Sequence, residues 1–433
     1  MKPAFPNQTL LPGVIFLLAT VSALSGCTPA VYLMPTPIVL HSEKIAAYQD
    51  RQPDAGGNIV NIFYATNRLP IGLKDDRLYT TGLSKTLRLG RASIRIGEKG
   101  GSWDLLKAFS STTERDRKLK LTLEKSNELG KLDSADADAS GEAAAFIAAI
   151  NKALADNLSK DITVYVHGAT ADFYTATAQA AQIRHFTGYD HVVLAFAWPT
   201  AENFLYYSTD VENARKTAPA FARLVKFLAL NTAVEKINVL AYSAGGQVAS
   251  PGLALLGKYL AGLETGTARK ILKLGEVYFA APDVDMHTYV AQLPFYIHLV
   301  NSTTIAMNPN DFVLNIASIH QGTPRIGRPD ATMLTDREIH WLTEASNAGK
   351  LNVIRILPEI FSGDDTGAHD FWYSHPWVST DVFIQLLFHA PPGKRGLTAE
   401  YTEGFRWWYF PADYPEKIPG ILQELIHETE TRQ

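Results

Sequence analysis

The sequence predicts an α/β fold in which a doubly wound, mostly parallel sheet carries helices on both faces. Short β-branched or apolar runs recur, for example at residues 162–166, 192–196 and 236–241. Such continuous runs are typical of parallel strands covered on both faces. Segments with apolar residues at helical spacing lie between them. The alternation of strand and helix therefore indicates βαβ units joined into one sheet.

The elements follow in chain order. The apolar runs predict strands at residues 59–64, 162–166, 192–196, 236–241, 277–280, 296–300 and 351–357. One helical face precedes the second strand, and a longer one precedes the fourth. Their apolar positions are Phe146, Ile147, Ile150 and Leu154, then Ala214, Ala218, Phe221, Leu224, Val225 and Leu228. Residues 133–140 are predicted to form a polar surface loop.

Composition excludes several functional classes. Of the 433 residues, 46% are hydrophobic and 19% are charged, so the chain is not intrinsically disordered. A formal net charge of −4 argues against a nucleic-acid partner, because phosphate binding requires a clustered basic surface. A single cysteine excludes internal disulfides and cysteine-based zinc sites. The histidines form no metal-binding pattern, so we expect neither a metal nor an organic cofactor.

The N-terminal segment predicts export rather than a packed element. The apolar run of residues 10–24 is too short and too broken to span a membrane, and is typical of a signal peptide. Leu24-Ser25-Gly26-Cys27 resembles the bacterial lipobox, in which the cysteine receives diacylglycerol after cleavage. We therefore predict a signal peptide at 1–26 and a lipid anchor on Cys27. The alternative is an ordinary signal peptide with an incidental cysteine.

Residues 27–57 are rich in proline, alanine and polar groups, and predict a tether that holds the folded body off the bilayer. The body itself is predicted to span residues 58–433 and to end in an aromatic extension. Thr28 follows the cysteine, and by resemblance to enterobacterial sorting it favours a bacterial outer membrane. The expected location is the cell envelope, with the body facing the periplasm.

One predicted strand leads into a sharp turn that carries a serine. Ala241-Tyr242-Ser243-Ala244-Gly245 is a variant of Gly-x-Ser-x-Gly with alanine in place of the first glycine. In this motif a strand-to-helix turn lifts the serine hydroxyl clear of the sheet, and small neighbours allow the two backbones to approach. Ser243 is therefore the candidate nucleophile; the alternative is a tight connection without chemistry.

A second turn, upstream of the serine, would supply an oxyanion donor. Val166-His167-Gly168-Ala169 ends the strand at 162–166, the position where hydrolases of this type carry a backbone donor. The backbone N–H groups of Ala169 and Ala244 are the candidates. His167 precedes the serine in the chain and is expected to pack and orient the loop rather than act as a base.

The motifs together resemble the bacterial esterase/lipase-like α/β-hydrolase family, much of which is catalogued as a domain of unknown function. The resemblance extends from about Asn58 to Leu387 and rests on five segments: 63–68, 166–168, 197–199, 241–245 and 281–285. It implies the α/β-hydrolase fold and a Ser-Asp-His serine hydrolase. The chain departs from the family pattern at Ala169-Thr170, where an aromatic residue and asparagine are usual, and at Tyr242, where histidine is common.

The acid and the base must follow Ser243 in that order. The acid of this fold lies beyond the second strand after the nucleophile, and Asn310-Asp311 followed by an apolar pair matches the family pattern. Asp311 is therefore preferred; Asp283 and Asp285 remain alternatives, with helix capping as their structural role. His369 lies in a polar loop after the last predicted strand and aligns with the family histidine, and His375 is the second choice.

These residues predict a membrane-anchored serine hydrolase that cleaves ester bonds through an acyl-enzyme. The substrate would be a small-molecule or lipid ester. Thioesterase, amidase or acyltransferase chemistry would use the same residues, and a non-catalytic envelope scaffold is the rival function. Aromatic residues at 371–373, 377 and 405–410 would line an acyl pocket, face lipid or pack in the core, and Tyr206 and Tyr207 would belong to a lid.

Overall fold

The computed structural model describes residues 30–40, 57–112, 115–133, 141–360 and 367–431. The predicted signal peptide at 1–26, the predicted lipidation residue Cys27 and residues 134–140 of the loop predicted at 133–140 lie outside the described residues. Within the described ranges, no helix combines the length and the apolar character needed to cross a bilayer.

The strands of the described chain form one mixed sheet in the order β10-β11-β9-β8-β7-β6-β4-β5-β1-β2-β3. In the part of this order that runs from β11 to β1, each strand pairs in parallel with its neighbour. The strands β2 and β10 run antiparallel to the strands beside them. The strands are β1 (Ile59–Ile71), β2 (Leu78–Ile96), β3 (Leu121–Leu132), β4 (Ile162–Val166), β5 (Val192–Phe196), β6 (Ile237–Tyr242), β7 (Leu274–Ala280), β8 (Thr303–Met307), β9 (Leu351–Arg355), β10 (Thr398–Thr402) and β11 (Phe405–Tyr409).

Helices connect the strands and cover the sheet. They are α1 (Trp103–Ser110), α2 (Ala144–Asp156), α3 (Phe173–Phe186), α4 (Tyr207–Asn231), α5 (Gly246–Tyr259), α6 (Thr265–Leu272), α7 (Met286–Gln292), α8 (Phe312–Gln321), α9 (Asp336–Asn347), α10 (Phe371–Ser374), α11 (Pro376–Phe388) and α12 (Tyr414–Glu430). In α2, the four apolar residues of the predicted helical face are the buried ones. The predicted amphipathic helix is thus confirmed there.

Two hydrophobic cores lie on opposite faces of the sheet. Val164, Leu194 and Val239 belong to one core, and their sequence neighbours Tyr165, Ala195 and Leu240 belong to the other. Side chains of a strand point alternately to the two faces, so each central strand must be apolar throughout. Each fully buried aliphatic or aromatic side chain contributes roughly 1.5–3 kcal/mol. The predicted doubly wound sheet with helices on both faces is confirmed.

One predicted strand is wrong. Residues 296–300 form a turn that precedes β8, and the strand itself is Thr303–Met307. Tyr296, Leu299 and Val300 are nevertheless buried in the core. An apolar run indicates that the segment is buried. A run this short has no periodicity from which a strand could be distinguished from a buried turn.

Four strands at the two ends of the sheet were not predicted: β2, β3, β10 and β11. The aromatic run at 405–409 is β11, which pairs with β9 through Trp407–Val353 and Trp408–Ile354. This part of the predicted aromatic extension therefore completes the sheet, with Trp408 buried in the core. Nothing in its local pattern distinguished an outer strand from pocket lining.

The folded body begins upstream of residue 58. Residues 31–33 pair with the chain before β3, where Leu33 N–H donates to Leu119 O (2.8 Å) and Leu121 N–H donates to Val31 O (2.8 Å). Ile38–Leu40 forms a buried 3₁₀ turn. These residues lie inside the predicted 27–57 tether. Residues 31–40 are consequently part of the packed body, because their apolar side chains have partners in the core.

Candidate active site

Ser243 occupies the sharp turn at the carboxyl end of β6. Its φ of 52° lies in the left-handed region, which is strained for a residue with a side chain and costs about 1–3 kcal/mol. Small neighbours permit the turn: a Cβ at Gly245 would lie 2.4 Å from Val166 O, and one at Gly246 would lie 2.7 Å from Val284 Cγ2. The structure therefore has the strand–turn–helix context that the sequence predicted for this serine.

His369 lies between the serine and Asp311. Its Nε2 is 2.8 Å from Ser243 Oγ, and its Nδ1 is 2.6 Å from Asp311 Oδ2. Asp311 is fully buried at the N-cap of α8, where its Oδ1 accepts a hydrogen bond from Leu314 N–H (2.9 Å). Both carboxylate oxygens thus have fixed partners. The structure brings together the three residues that the sequence singled out as nucleophile, base and acid.

The alternative carboxylates have other partners. Asp283 forms a buried ion pair with Arg325 (Nε–Oδ1 2.6 Å) and accepts a hydrogen bond from the Tyr207 hydroxyl. Asp285 caps α7 by accepting from Thr288 N–H (2.7 Å). Helix capping, the structural role that the sequence offered for both residues, is thus found for Asp285, whereas Asp283 forms an ion pair instead. Their carboxylates are engaged away from the imidazole, so Asp311 is the acid that the geometry favours.

His375 is also occupied. Its Nε2 donates to Ile360 O (2.8 Å), and its Nδ1 accepts from Trp377 N–H at the start of α11. Burial lowers the pKa of His375 and so favours the neutral ring. Both ring nitrogens are bonded to backbone groups, so His375 serves as a helix cap. His369 therefore remains the candidate base.

The loop after β4 approaches the serine closely. A Cβ at Gly168 would lie 3.1 Å from Ser243 Cβ, so the absence of a side chain allows the contact. His167 stacks on Trp198 (5.3 Å between ring centroids) and donates from Nδ1 to Gly168 O (2.8 Å). Burial lowers the pKa of His167 to about 3, which keeps it neutral. Its position matches the orienting role expected for it.

Ala169 and Ala244 are the proposed oxyanion donors. Ala244 directly follows the serine in sequence, and Ala169 follows Gly168, which lies against the serine. Ala244 is buried in the first turn of the helical segment that begins at Ser243, where backbone N–H groups lack intrahelical acceptors. Ala169 follows Gly168 and packs against a small apolar cluster of Tyr207, Val211 and Ala317. This cluster, called here the apolar wall, borders the loop at Ala169.

Two buried charged residues hold this loop, and the sequence did not reveal either role. Arg68 donates to Ala171 O (2.6 Å) and to Trp198 O (3.1 Å) and pairs with Glu202 (3.0 Å). Asp210 accepts from Thr170 N–H (3.0 Å) and from Ala201 N–H. Arg68 belongs to the 63–68 segment that carried the family resemblance, a signal that its type matters. Asp210 lies in an ordinary helical pattern and gave no such signal.

Aromatic side chains surround His369. The Tyr242 ring lies 5.3 Å from the His369 ring and contacts Tyr373 (5.7 Å). Trp372 is fully buried and packs on Tyr165. Of the predicted lid residues, Tyr207 is buried and Tyr206 is exposed. Across the described part of the chain, no three His, Cys, Asp or Glu side chains converge as a metal ion would require.

Comparison with known proteins places the chain in a family. A family model described as an alpha/beta hydrolase of unknown function (DUF900) matches residues 142–370, which is more than half of the chain. No curated protein and no solved structure shows a significant match. The matched range includes Ser243, Asp311 and His369, and it extends from the start of α2 to the residue before α10. The chain belongs to this family of alpha/beta hydrolases of unknown function.

Proposed function

We propose that this protein is a serine hydrolase that cleaves ester bonds through an acyl-enzyme, with Ser243, His369 and Asp311 as its catalytic residues. One observation carries the proposal. A single imidazole reaches the serine hydroxyl through Nε2 (2.8 Å) and a buried carboxylate through Nδ1 (2.6 Å). This is the arrangement that activates a serine as a nucleophile.

The first half of the reaction forms the acyl-enzyme. Ser243 Oγ attacks the substrate carbonyl while His369 Nε2 takes its proton. Asp311 Oδ2 accepts the hydrogen bond from Nδ1–H, which fixes the tautomer and stabilises the imidazolium. The N–H groups of Ala169 and Ala244 would stabilise the oxyanion, and each such donor contributes about 3 kcal/mol. The imidazolium then protonates the leaving alcohol as the C–O bond breaks.

The second half releases the acid. Water loses a proton to His369 Nε2 as it attacks the acyl carbonyl, and Ser243 Oγ leaves with the proton returned from the ring. The apolar wall beside Ala169 and the tyrosines around His369 favour an ester with an apolar acyl group. Thioesters and amides would use the same residues, so esters of graded acyl length are the first substrates to compare.

We also propose that the mature chain begins at Cys27 and is anchored by diacylglycerol, with the body in a bacterial cell envelope. The lipobox-like sequence at 24–27 and the uniqueness of this cysteine support the proposal. Mass spectrometry of the N-terminal peptide is the test. We expect residue 27 to be N-terminal and to carry the diacylglycerol mass, and a free Cys27 thiol would contradict the anchor.

Labelling with a fluorophosphonate probe tests the catalytic proposal. We expect the wild type to be labelled and Ser243→Ala to be unlabelled, because the probe bonds only to an activated hydroxyl. Ser250→Ala is a matched control. Ser250 is buried in α5, the helix that follows the Ser243 turn, and its hydroxyl donates to the Gln292 side chain (2.8 Å) rather than facing His369. A folded wild type that neither reacts nor hydrolyses esters would support the rival scaffold function.

A further inference from the structure

We propose that Asn308 is a positioning residue that holds the loop of His369, the proposed base, against the loop of Asp311, the proposed acid. This role belongs to the ester hydrolase proposed above and rests on it. Asn308 directly follows β8 and is fully buried (0% exposed). No motif in the sequence singles it out.

The two loops differ in how closely their strands hold them. Residues 308–310 separate the end of β8 from Asp311, whereas residues 356–368 separate the end of β9 from His369. The longer connection has more backbone conformations to lose when the site forms. The position of the base must therefore be fixed by contacts outside its own strand.

The side chain of Asn308 makes such a contact. Its Nδ2–H donates to Ala368 O (2.9 Å), 60 residues further along the chain, and the bond is buried. The carbonyl of Ala368 and the N–H of His369 belong to one planar peptide group. Fixing the carbonyl oxygen therefore fixes the direction in which the chain enters His369. Loss of the donor would leave a buried acceptor without its partner.

The same asparagine holds the acid. Its Oδ1 accepts from Asn310 N–H (2.9 Å), and its backbone oxygen accepts from Asp311 N–H (3.0 Å). A flipped amide would set oxygen against the Ala368 oxygen and N–H against N–H, so both side-chain bonds require the same orientation. One buried residue is thus bonded to peptide groups beside the base and beside the acid.

The loops also pack against each other. A Cβ at Gly367 would lie 3.4 Å from Asn310 O and 3.7 Å from Phe312 Cβ, which are ordinary contact distances. His369 then reaches Asp311 Oδ2 through Nδ1 (2.6 Å). The carboxylate holds the ring of the base, and the Asn308 amide holds the backbone that carries it. Together they fix both ends of the histidine side chain.

A purely local role for Asn308 would use only its oxygen. An asparagine whose Oδ1 accepts from the N–H two residues later forms an Asx turn, and aspartate forms the same turn. Only the amide supplies a donor for Ala368 O as well. Asn308→Asp therefore keeps the size of the side chain and the turn, and removes the bond toward His369.

Steady-state ester kinetics of the full-length protein test this role. We expect Asn308→Asp to lower kcat on the order of 10²-fold, a loss that follows from displacing a reacting group by about 1 Å. KM should stay at the wild-type value, because His369 acts in both half-reactions and both slow together. Asn308→Ala removes the same donor without adding a charge, and it decides the question if the aspartate prevents folding.

Asn58→Asp is the matched control. Asn58 is 5% exposed, and its amide also donates to backbone carbonyls, those of Ile96 (2.6 Å) and Glu98 (2.7 Å). It precedes β1 at the amino ends of the parallel strands, so it lies at the edge of the sheet opposite Ser243. We expect this variant to lose stability and to keep the kcat of the wild type in its folded fraction.

A folded Asn308→Asp or Asn308→Ala protein with the wild-type kcat would overturn the proposal. An equal loss of kcat in Asn58→Asp would assign the effect to stability and would overturn it too. A folded wild type that neither hydrolyses esters nor reacts with the fluorophosphonate would contradict the hydrolase function instead.

Proton NMR separates these two failures, because it needs no turnover. The Nδ1–H proton of His369 that Asp311 accepts should give a downfield resonance in the wild type and in Asn58→Asp. We expect this resonance to broaden or disappear in Asn308→Ala. An unchanged resonance there would show that Asn308 does not position the ring, whether or not the protein is a hydrolase.

Discussion

At the residue scale, the candidate site depends on a division of labour between two aspartates. Asp311 is buried with one oxygen on His369 and the other on the cap of α8. Asp283 is buried too, but it neutralises Arg325 beneath the serine turn, where its own N–H donates to Ser243 O (3.0 Å). One carboxylate thus orients the proposed base, His369, while the other supports the backbone that carries the proposed nucleophile, Ser243.

This division predicts different effects for two equivalent substitutions. In Asp311→Asn the amide oxygen can still cap α8. The amide nitrogen then faces His369 and cannot accept the hydrogen bond from Nδ1–H, so the imidazole is no longer held in the tautomer that has its proton on Nδ1. We expect turnover to fall on the order of 10⁴-fold with the fold retained. Steady-state ester hydrolysis together with circular dichroism measures both quantities.

Asp283→Asn is the control and should behave in the opposite way. It leaves Arg325 buried without a counter-charge, which costs about 3–5 kcal/mol of unfolding free energy, while residual turnover persists in the folded fraction. If folded Asp283→Asn were inactive and Asp311→Asn were active, the assignment of the acid would be wrong.

The three proposed catalytic residues could be singled out from the sequence because each one follows a strand end. Ser243 follows β6, Asp311 follows β8 and His369 follows β9, and parallel strands bring their carboxyl ends to one edge. Arg68, Asp210 and Tyr207 were not predictable in their roles. Their partners are backbone groups or side chains from distant segments, and such contacts leave no local periodicity in the sequence.

At the element scale, one buried side chain joins strand β1 to the loops that follow two other strands. Arg68, at the end of the regular part of β1, bonds to the loops after β4 and β5 through Ala171 O and Trp198 O and to Glu202. The planar guanidinium supplies donors in several directions, which one ammonium group cannot match. The loop that carries Ala169 is therefore fixed by a strand that carries none of the three proposed catalytic residues.

We predict that Arg68→Lys lowers the free energy of unfolding by about 3 kcal/mol, since Glu202 and two carbonyls lose partners in a buried site. Turnover should fall as the loop loosens. Denaturant titration and ester kinetics provide the measurements. Arg95→Lys is the matched control, because the Arg95–Glu124 pair lies at the surface (17% and 31% exposed) and should change stability by less than about 1 kcal/mol. Equal losses in both variants would refute the role of Arg68.

Elements were predicted best where burial on both faces made them apolar throughout. The five central strands β4 to β7 and β9 follow from that pattern, and so does α2 from its buried stripe. The outer strands escaped prediction because one face of β2 and β3 is polar and β11 is aromatic. The misplaced strand at 296–300 shows the converse, since that buried turn is as apolar as a strand.

At the scale of the whole molecule, a buried charge network joins the C-terminal part of the chain to the sheet. His389, at the end of α11, bonds through Nε2 to Asp161 before β4 (2.8 Å) and lies 3.6 Å from Glu276 in β7. Burial on its own would lower the pKa of His389. The hydrogen bond to Asp161 and the negative charges of Asp161 and Glu276 outweigh burial and raise the pKa of His389 to about 9.

This network predicts that the free energy of unfolding decreases at alkaline pH. A folded-state pKa above the unfolded value of about 6.5 adds stability that is complete below pH 6.5 and is lost as pH rises through about 9. We expect the wild type to lose up to about 3 kcal/mol over this window. Denaturant unfolding at pH 6 and pH 9.5 measures the change.

His389→Asn should flatten that dependence, and asparagine tolerates the left-handed φ of 52° at this position. His340→Asn is the control, because the exposed His340–Glu344 pair should leave the pH dependence as it is in the wild type. A wild-type profile that the first substitution does not alter would exclude the network as its source.

The packing of Ile38–Leu40 also determines when folding can finish. These residues contact α12, the helix that closes the described chain, and Val39 N–H donates to Thr380 in α11 (3.4 Å). A separation of 341 residues lies between Val39 and Thr380, so a chain made from its N-terminus holds this apolar triplet unpaired until α11 and α12 have been synthesised. During that interval we expect the triplet to be exposed to chaperones, and to be covered once α12 has been made.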